Sequence, residues 1–206
     1  MKGHVLPVAL LTADLLVGAG GPYGSAATAA TAATPSSPAV LTAPGAPTPT
    51  ADHNDRDVMF ARMMIPHHRQ AVEMGRLAAD RAADARVARL ARRIEAAQAP
   101  EIRTMSGWLT SWGERVPGES PAPAHHATPG MMSPEDMRRL EGLSGRAFDR
   151  AFLTMMIRHH EGAVAMARDE LRGGTYEPAR RMAESIVSSQ SAEIKEMKSM
   201  LGSLPG

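Results

Sequence analysis

The side chains in this 206-residue sequence that are most able to do chemistry are methionines and histidines in two Met-Met-Ile-x-His-His motifs. Together, thioether sulfur and imidazole nitrogen are ligands that suit Cu(I) and Ag(I). Because the chain has no cysteine, thiolate sites and disulfides are excluded. The predicted metal ligands are Met63, Met64, His67, His68 and Met74 in the first copy and Met155, Met156, His159, His160 and Met166 in the second.

Helical spacing places the first histidine of each pair on an apolar face. His67 shares a stripe with Phe60, Met64 and Met74, whereas His68 lies about 100° away at the flank of that stripe. The partner helices carry groups that we predict to support the ligands or to bind the ion themselves, namely Gln98, Glu101, Met105, Gln190, Glu193 and Met197. In the alternative interpretation, Gln98 and Glu101 accept hydrogen bonds from His67, and the methionines only fill a helical core.

The two motifs belong to an internal repeat with an offset of 92 residues. Beyond the motifs, Ile94, Gln98 and Glu101 recur as Ile186, Gln190 and Glu193. Each half therefore predicts one helical hairpin, and a single hairpin buries its apolar stripe poorly. We predict an all-α fold in which two duplicated hairpins form an antiparallel four-helix bundle.

The helix limits follow from caps and breakers. Ser133-Pro134-Glu135-Asp136 is typical of a helix start, with a capping hydroxyl, proline in the first turn and an acid three residues after the cap. Pro66 lies directly before His67, lacks a backbone donor and predicts a kink there. The predicted helices run from Asn54 or Asp55 to about Arg81, Asp84 to Trp112, Ser133 to about Gly142, Gly145 to Leu171 and Glu177 to Leu201.

The N-terminal part differs in composition from the helical part. A lysine, an apolar stretch and small residues indicate export, although Asp14 interrupts the apolar stretch. We predict a signal peptide over 1–27, a disordered Ala/Thr/Pro linker over 28–51 and a helical domain over 52–206, made of repeat 1 (52–112), a loop (113–132) and repeat 2 (133–206). In the loop, His125, His126, Met131 and Met132 either form a mobile metal patch or are low-complexity sequence.

The paired segments MMIPHHRQAVEM and MMIRHHEGAVAM, together with GMMSPEDM, resemble domain-of-unknown-function family 305. The resemblance covers 52–201 and implies a ferritin-like fold. It also implies copper or silver binding outside the cytoplasm, as in the CopM-like periplasmic members of that family. On this basis we expect a role in metal resistance or homeostasis and a copper ion as the bound group.

Several function classes are excluded or disfavoured. A formal net charge of +1 and few aromatic residues argue against nucleic-acid binding. A di-iron carboxylate enzyme needs Glu-x-x-His pairs, and no glutamate stands three residues before any histidine. We therefore predict a protein that is not an enzyme, with no organic cofactor and no membrane span after signal cleavage. The alternative function is a metal-free helical interaction module with structural core histidines, and the oligomeric state is open.

Overall fold

A computed structural model describes residues 52–118 and 128–204. Within those two ranges the chain is all-helical, with no strand and a single isolated bridge between Ala82 and Gly145. The predicted signal peptide, the predicted linker and the pair His125–His126 lie outside the described residues. The helices are α1 (Asp55–Arg81), α2 (Ala85–Ser111), α3 (Pro134–Glu141), α4 (Gly145–Gly173) and α5 (Glu177–Ser203).

Local sequence accounts for these limits, which agree with the predicted ones to within about two residues. Asn54 and Asp57 form a capping box at the start of α1, and Ser133 and Asp136 form the predicted one at the start of α3. Helix α1 continues through Pro66, and α2 continues through Pro100. A proline costs a helix one hydrogen bond, so packing on neighbouring helices must offset that loss.

The four long helices pair in sequence order. Helix α2 packs on α1, α5 packs on α4, and α1 and α4 pack on each other. Arg76, late in α1, pairs with Glu95 in the first half of α2, and Arg62, early in α1, pairs with Glu114 just after the end of α2. Helices α1 and α2 are therefore antiparallel. An ion pair between Arg93 of α2 and Glu196 of α5 links the two hairpins at the surface.

Two buried aspartates tie each hairpin to the turn of the other. Asp149 in α4 accepts hydrogen bonds from the backbone N–H groups of Ala83 (3.2 Å) and Asp84 (2.9 Å) in the α1–α2 turn. Asp57 in α1 accepts from the N–H groups of Thr175 (3.1 Å) and Tyr176 (3.0 Å) in the α4–α5 turn. The acceptor and both donors of one tie lie 92 residues, the repeat offset, from those of the other: Asp57 corresponds to Asp149, Ala83 to Thr175 and Asp84 to Tyr176. The two ties are therefore equivalent.

The apolar core consists of two clusters, one at each end of the α1–α4 contact. The α3-side cluster includes Met74, Leu90, Ile94, Leu140, Phe148, Phe152, Leu153, Met156 and Met197. The Tyr176-side cluster includes Phe60, Met64, Ile65, Met105, Leu109, Met166 and Ile186. Each cluster takes side chains from both repeats, and each fully buried large side chain stabilises the fold by roughly 1.5–3 kcal/mol. In α1 and α4, the histidine pairs fall between the residues of the two clusters.

Candidate metal centre

Four imidazoles form a row across the contact between α1 and α4. The rings of His67 and His159 touch at its centre, with their centroids 3.6 Å apart. His68 lies beyond His67 at 6.5 Å, and His160 lies beyond His159 at 6.4 Å. All four side chains are fully buried. The structure thus brings the first histidines of the two motifs together, although they are 92 residues apart in the sequence.

The second histidine of each pair is more deeply placed than the sequence predicted. We expected His68 and His160 at the flank of the apolar stripe, but both are as buried as His67. The partner helix covers that flank and supplies a carboxylate. Glu101 Oε2 lies 2.7 Å from His68 Nε2, and Glu193 Oε2 lies 2.7 Å from His160 Nε2.

This pairing also corrects the interpretation in which Gln98 and Glu101 accept from His67. Glu101 contacts His68, and its repeat equivalent Glu193 contacts His160. Gln98 and Gln190 are buried, and the Oε1 atom of each has no hydrogen-bond partner. Both side chains therefore present an unpartnered oxygen inside the protein.

Most ring nitrogens of the histidine row also lack partners. His67 Nε2 lies 3.1 Å from the carbonyl oxygen of Pro129, but His67 Nδ1 is unpartnered. Both nitrogens of His159 are unpartnered, as are the Nδ1 atoms of His68 and His160. Each buried polar group without a partner costs about 1–3 kcal/mol. A neutral imidazole carries a lone pair on one nitrogen only, so these five nitrogens include up to four lone pairs, one for each ring. A copper ion is a group that accepts such lone pairs.

The electrostatics of the layer keep its central imidazoles neutral. Burial, followed by the proximity of His68, lowers the pKa of His67 from 6.5 to about 3. Burial, followed by the proximity of His67, lowers the pKa of His159 well below its usual value. Since only the unprotonated ring can bind a metal, both rings are ready to act as ligands at neutral pH.

The carboxylates of Glu101 and Glu193 are placed like those that accept a hydrogen bond from a metal-binding histidine in known metal sites. A histidine ligand commonly donates its other ring N–H to a carboxylate, which fixes the tautomer and the ring orientation. Here each carboxylate faces Nε2 and leaves Nδ1 of His68 or His160 as the free nitrogen. This arrangement can present a lone pair in a fixed direction.

The predicted methionine ligands divide between the two apolar clusters. Met64, Met105 and Met166 lie in the Tyr176-side cluster, with the partly exposed Met63 packed against it. Met74, Met156 and Met197 lie in the α3-side cluster, with the partly exposed Met155 packed against it. No group of three or more His, Asp or Glu residues that could hold an ion occurs in 52–118 and 128–204. An ion in the histidine layer would therefore need sulfur or amide oxygen in addition to nitrogen.

A short strap, residues 128–132, crosses the histidine layer. At Gly162 of α4 the backbone approaches so closely that a Cβ atom would lie 2.0 Å from the carbonyl oxygen of Pro129. Gly130 has a φ of 79° and also packs against the α4 backbone. On the α1 side, Gln70 holds Met132 by two hydrogen bonds, accepting from its N–H at 2.7 Å and donating to its carbonyl oxygen at 3.0 Å.

Sequence reasoning missed the strap, although the repeat contains a signal for it. Gln70 and Gly162 are equivalent positions of the repeat but differ in residue type. Gln70 of α1 binds the strap by hydrogen bonds, and Gly162 of α4 leaves room for the strap backbone. Of the predicted loop patch, Met132 is a buried member of the α3-side cluster. Its sulfur also lies 3.0 Å from the guanidinium of Arg158, which donates to Asp136 at 2.9 Å.

Comparison with known families places both histidine pairs within one matched region. The sequence model described as a domain of unknown function, DUF305, matches residues 57–201 and so includes both histidine pairs. The chain belongs to the DUF305 family. No curated protein matches this DUF305 chain.

Solved structures of DUF305 proteins match it over most of their length. A Streptomyces coelicolor protein that is thought to be secreted is 36% identical, with a TM-score of 0.66 over 71% of this chain and 92% of that one. A Deinococcus radiodurans fragment is 35% identical, with a TM-score of 0.66 over 73% and 98%. CopM in its Cu(I)-bound form is 33% identical, with a TM-score of 0.62 over 73% and 98%. CopM has also been solved in Cu(II)-bound and Ag-bound forms.

Proposed function

We propose that this DUF305 protein binds copper as Cu(I), and Ag(I) in the same way, through the buried histidines and neighbouring methionines. The observation that carries the proposal is the row of four fully buried imidazoles, which leaves five ring nitrogens without a partner. His67 and His159 are the central ligands because their rings touch and their pKa values are lowered. When bound, copper would accept the lone pair that a neutral imidazole carries on one of its nitrogens.

The donor set supports copper over other metals. Imidazole and thioether are neutral and polarisable, which suits Cu(I), whereas Mg²⁺ and Ca²⁺ prefer several carboxylate or carbonyl oxygens. Met64 and Met156 precede His67 and His159 by three residues, so each sulfur lies on the same helix face as the imidazole. The Cu- and Ag-bound structures of CopM, which is about one-third identical, support the same choice of metal.

The same proposal includes how the fold arose. We infer an antiparallel, ferritin-like four-helix bundle produced by duplication of one hairpin. The 92-residue repeat and the equivalent ties from Asp57 and Asp149 support this origin. A metal site in the histidine layer would then be formed by two copies of one set of ligands, one set from each repeat.

We infer an exported, non-enzymatic role in copper resistance or homeostasis. The Streptomyces coelicolor relative supports export. Within the described residues, no helix is long and apolar enough to cross a membrane. The histidine layer contains paired imidazoles rather than the Glu-x-x-His pairs of a di-iron enzyme, and this favours binding over catalysis.

The test is a Cu(I) titration of the full chain against a competing chelator. We expect His67→Ala combined with His159→Ala to weaken Cu(I) binding at least about 100-fold, because each removes a central ligand. His53→Ala is the matched control, since His53 stacks on Trp112 at 4.4 Å outside the histidine layer. Equal Cu(I) affinity in the native chain and the double variant would refute the proposed site.

One observation favours a second candidate function, a metal-free helical interaction module. His68 and His160 already have carboxylate partners, and the rings of His67 and His159 pack against each other at a tilt of 35°, so the layer also works as a structural core. This alternative predicts no stoichiometric copper in the native chain and a large loss of stability in the double variant. The titration above therefore decides between the two functions.

A further inference from the structure

Met59 stands apart from the other methionines. It is 56% exposed, and it is the one large hydrophobic side chain exposed in the part of the chain that the structure describes. Its repeat equivalent is Ala151, so the repeat does not require a methionine there. Core packing accounts for buried methionines, but it does not account for this one.

Met59 lies at the wall of a small cavity that contains two more methionines. The cavity has a volume of about 80 Å³, and its lining includes Met59, Met63, Met166, Pro129 and Glu170. A single water needs roughly 10–15 Å³ on the same measure, so the cavity has room for an ion and its remaining water ligands. Met59 and Met63 are four residues apart on α1 and share a helix face, while Met166 approaches from α4.

The cavity is open to solvent on the Met59 side and adjoins the strap on the other. Met59 and Met63 also line a wider surface groove of about 640 Å³. Pro129, which lines the cavity, places its carbonyl oxygen 3.1 Å from His67 Nε2. The methionine-lined cavity is thus between the solvent and the strap residue that covers the central histidines.

We propose that Met59, Met63 and Met166 form a second, solvent-facing site for one soft monovalent cation, Cu(I) or Ag(I). This inference rests on the proposed function and deepens it. The thioether site takes up the ion first, and the histidine layer behind Pro129 is the tighter site. Met63 and Met166 belong to this outer site, while Met64 and Met156 remain beside the histidines.

The charges around the cavity favour a soft monovalent ion over a hard divalent one. Asp169 is already paired with Arg172. Burial and the neighbouring Asp57 raise the pKa of Glu170 to about 8, so this carboxyl group is neutral at pH 7. The cationic side chain of Arg56 also lines the cavity. Neutral thioethers therefore remain as the main donors, and these suit Cu(I) and Ag(I).

The second repeat does not reproduce this arrangement. Met155 and Met74, the equivalents of Met63 and Met166, pack into the α3-side cluster with Met132 and Met137. Helix α3 supplies Met137, and the strap supplies Met132, so that end is filled by elements with no counterpart in the first repeat. The proposed outer site is therefore specific to the first repeat's end of the molecule.

The test uses Ag(I) as the probe and the full chain with ¹³C-labelled methionine methyl groups. In the His67→Ala/His159→Ala variant, we expect one equivalent of Ag(I) still to bind and the methyl signals of Met59, Met63 and Met166 to shift together. Adding Met59→Leu, which removes the sulfur but keeps the size, should weaken this binding at least tenfold. Met182→Leu is the matched control, because Met182 is a partly buried methionine on α5 outside the cavity.

The outcomes separate the outer site from the proposed function. If the native chain binds Ag(I) but the histidine double variant binds none, the outer site is wrong and the histidine site stands. If the double variant binds one equivalent of Ag(I) and adding Met59→Leu does not change its affinity, the outer site is also wrong. Met59→Leu in the otherwise native chain gives an independent check that keeps the histidines, and it should weaken the binding of one of the Ag(I) equivalents at least tenfold. Unchanged affinities for all Ag(I) equivalents there contradict the proposal.

Discussion

At the scale of single residues, the side chains that shape the candidate site are the carboxylates behind the histidines. Glu101 and Glu193 each orient one imidazole at 2.7 Å and leave its other nitrogen free. A helical wheel of α1 alone could not predict the contact between Glu101 and His68. It gives the direction in which His68 points but not which helix packs against that side. The contact depends on the register between α1 and α2, which is a property of the hairpin.

The first prediction concerns that orientation. Glu101→Gln should weaken Cu(I) binding about 10-fold or more, because the amide no longer fixes the tautomer of His68 as the carboxylate does. Chelator competition with Cu(I) measures this effect. Glu95→Gln is the control, because Glu95 forms only a surface ion pair with Arg76. Loss of Cu(I) affinity in both variants alike would show that the effect is not specific to the histidine.

A second residue-scale prediction concerns pH and Glu170. Its pKa is raised to about 8 in the folded chain, chiefly by burial and then by Asp57. A raised acid pKa stabilises the fold fully below about pH 4.5, and this contribution is lost as the pH rises through about 8. We expect the free energy of unfolding of the native chain to fall between pH 5 and pH 8 relative to that of Glu170→Gln. Urea denaturation of the metal-free proteins measures it, and parallel pH profiles would contradict the assignment.

At the scale of elements, the helices follow closely from sequence and the strap does not. Caps such as Asn54 and Ser133 and the turn glycines set helix ends through local hydrogen bonds, which a sequence displays directly. Gln70 binds the strap by hydrogen bonds, and Gly162 lets the strap backbone approach closely because it has no Cβ atom. Both contacts join residues that are far apart in the chain. Only the break in the repeat at these two positions signals them.

The strap gives a prediction of its own. In Gly162→Ala the new Cβ would lie 2.0 Å from the Pro129 carbonyl oxygen, so the strap must move away from α4. We expect a loss of about 1–3 kcal/mol in the free energy of unfolding, measured by urea denaturation. Gly107→Ala in α2 is the control, since its Cβ meets nothing within 4 Å. That change should be neutral or stabilising, and a similar loss in both variants would rule out the strap as the cause.

At the scale of the whole molecule, a layer of histidines from both repeats lies between two apolar clusters. The sequence predicted the two hairpins, and the antiparallel pairing of α1 with α2 agrees with that prediction. It did not predict that Asp57 and Asp149 each accept hydrogen bonds from the turn of the other hairpin, because a single aspartate in a helix is usually solvated. Their equivalence under the repeat offset is the signal that could have found them.

These ties predict how the hairpins hold together. Asp149→Ala would remove the charged acceptor of the part-buried N–H groups of Ala83 and Asp84, and we expect a loss of about 1–3 kcal/mol in the free energy of unfolding. Asp57→Ala should behave similarly at the other turn. Asp80→Ala, at an exposed position of α1, is the control for thermal or urea denaturation. A loss no larger than that of Asp80→Ala would contradict the role of the ties.

The central claim is that buried imidazole and thioether groups hold Cu(I) between the repeats. X-ray absorption at the copper edge of the Cu(I)-loaded full chain tests it most directly, because nitrogen and sulfur neighbours scatter differently. We predict copper surrounded by both nitrogen and sulfur in the native chain, with the nitrogen contribution lost in the His67→Ala/His159→Ala variant. A native chain whose copper has only oxygen neighbours, or an unchanged spectrum in the double variant, would contradict the account.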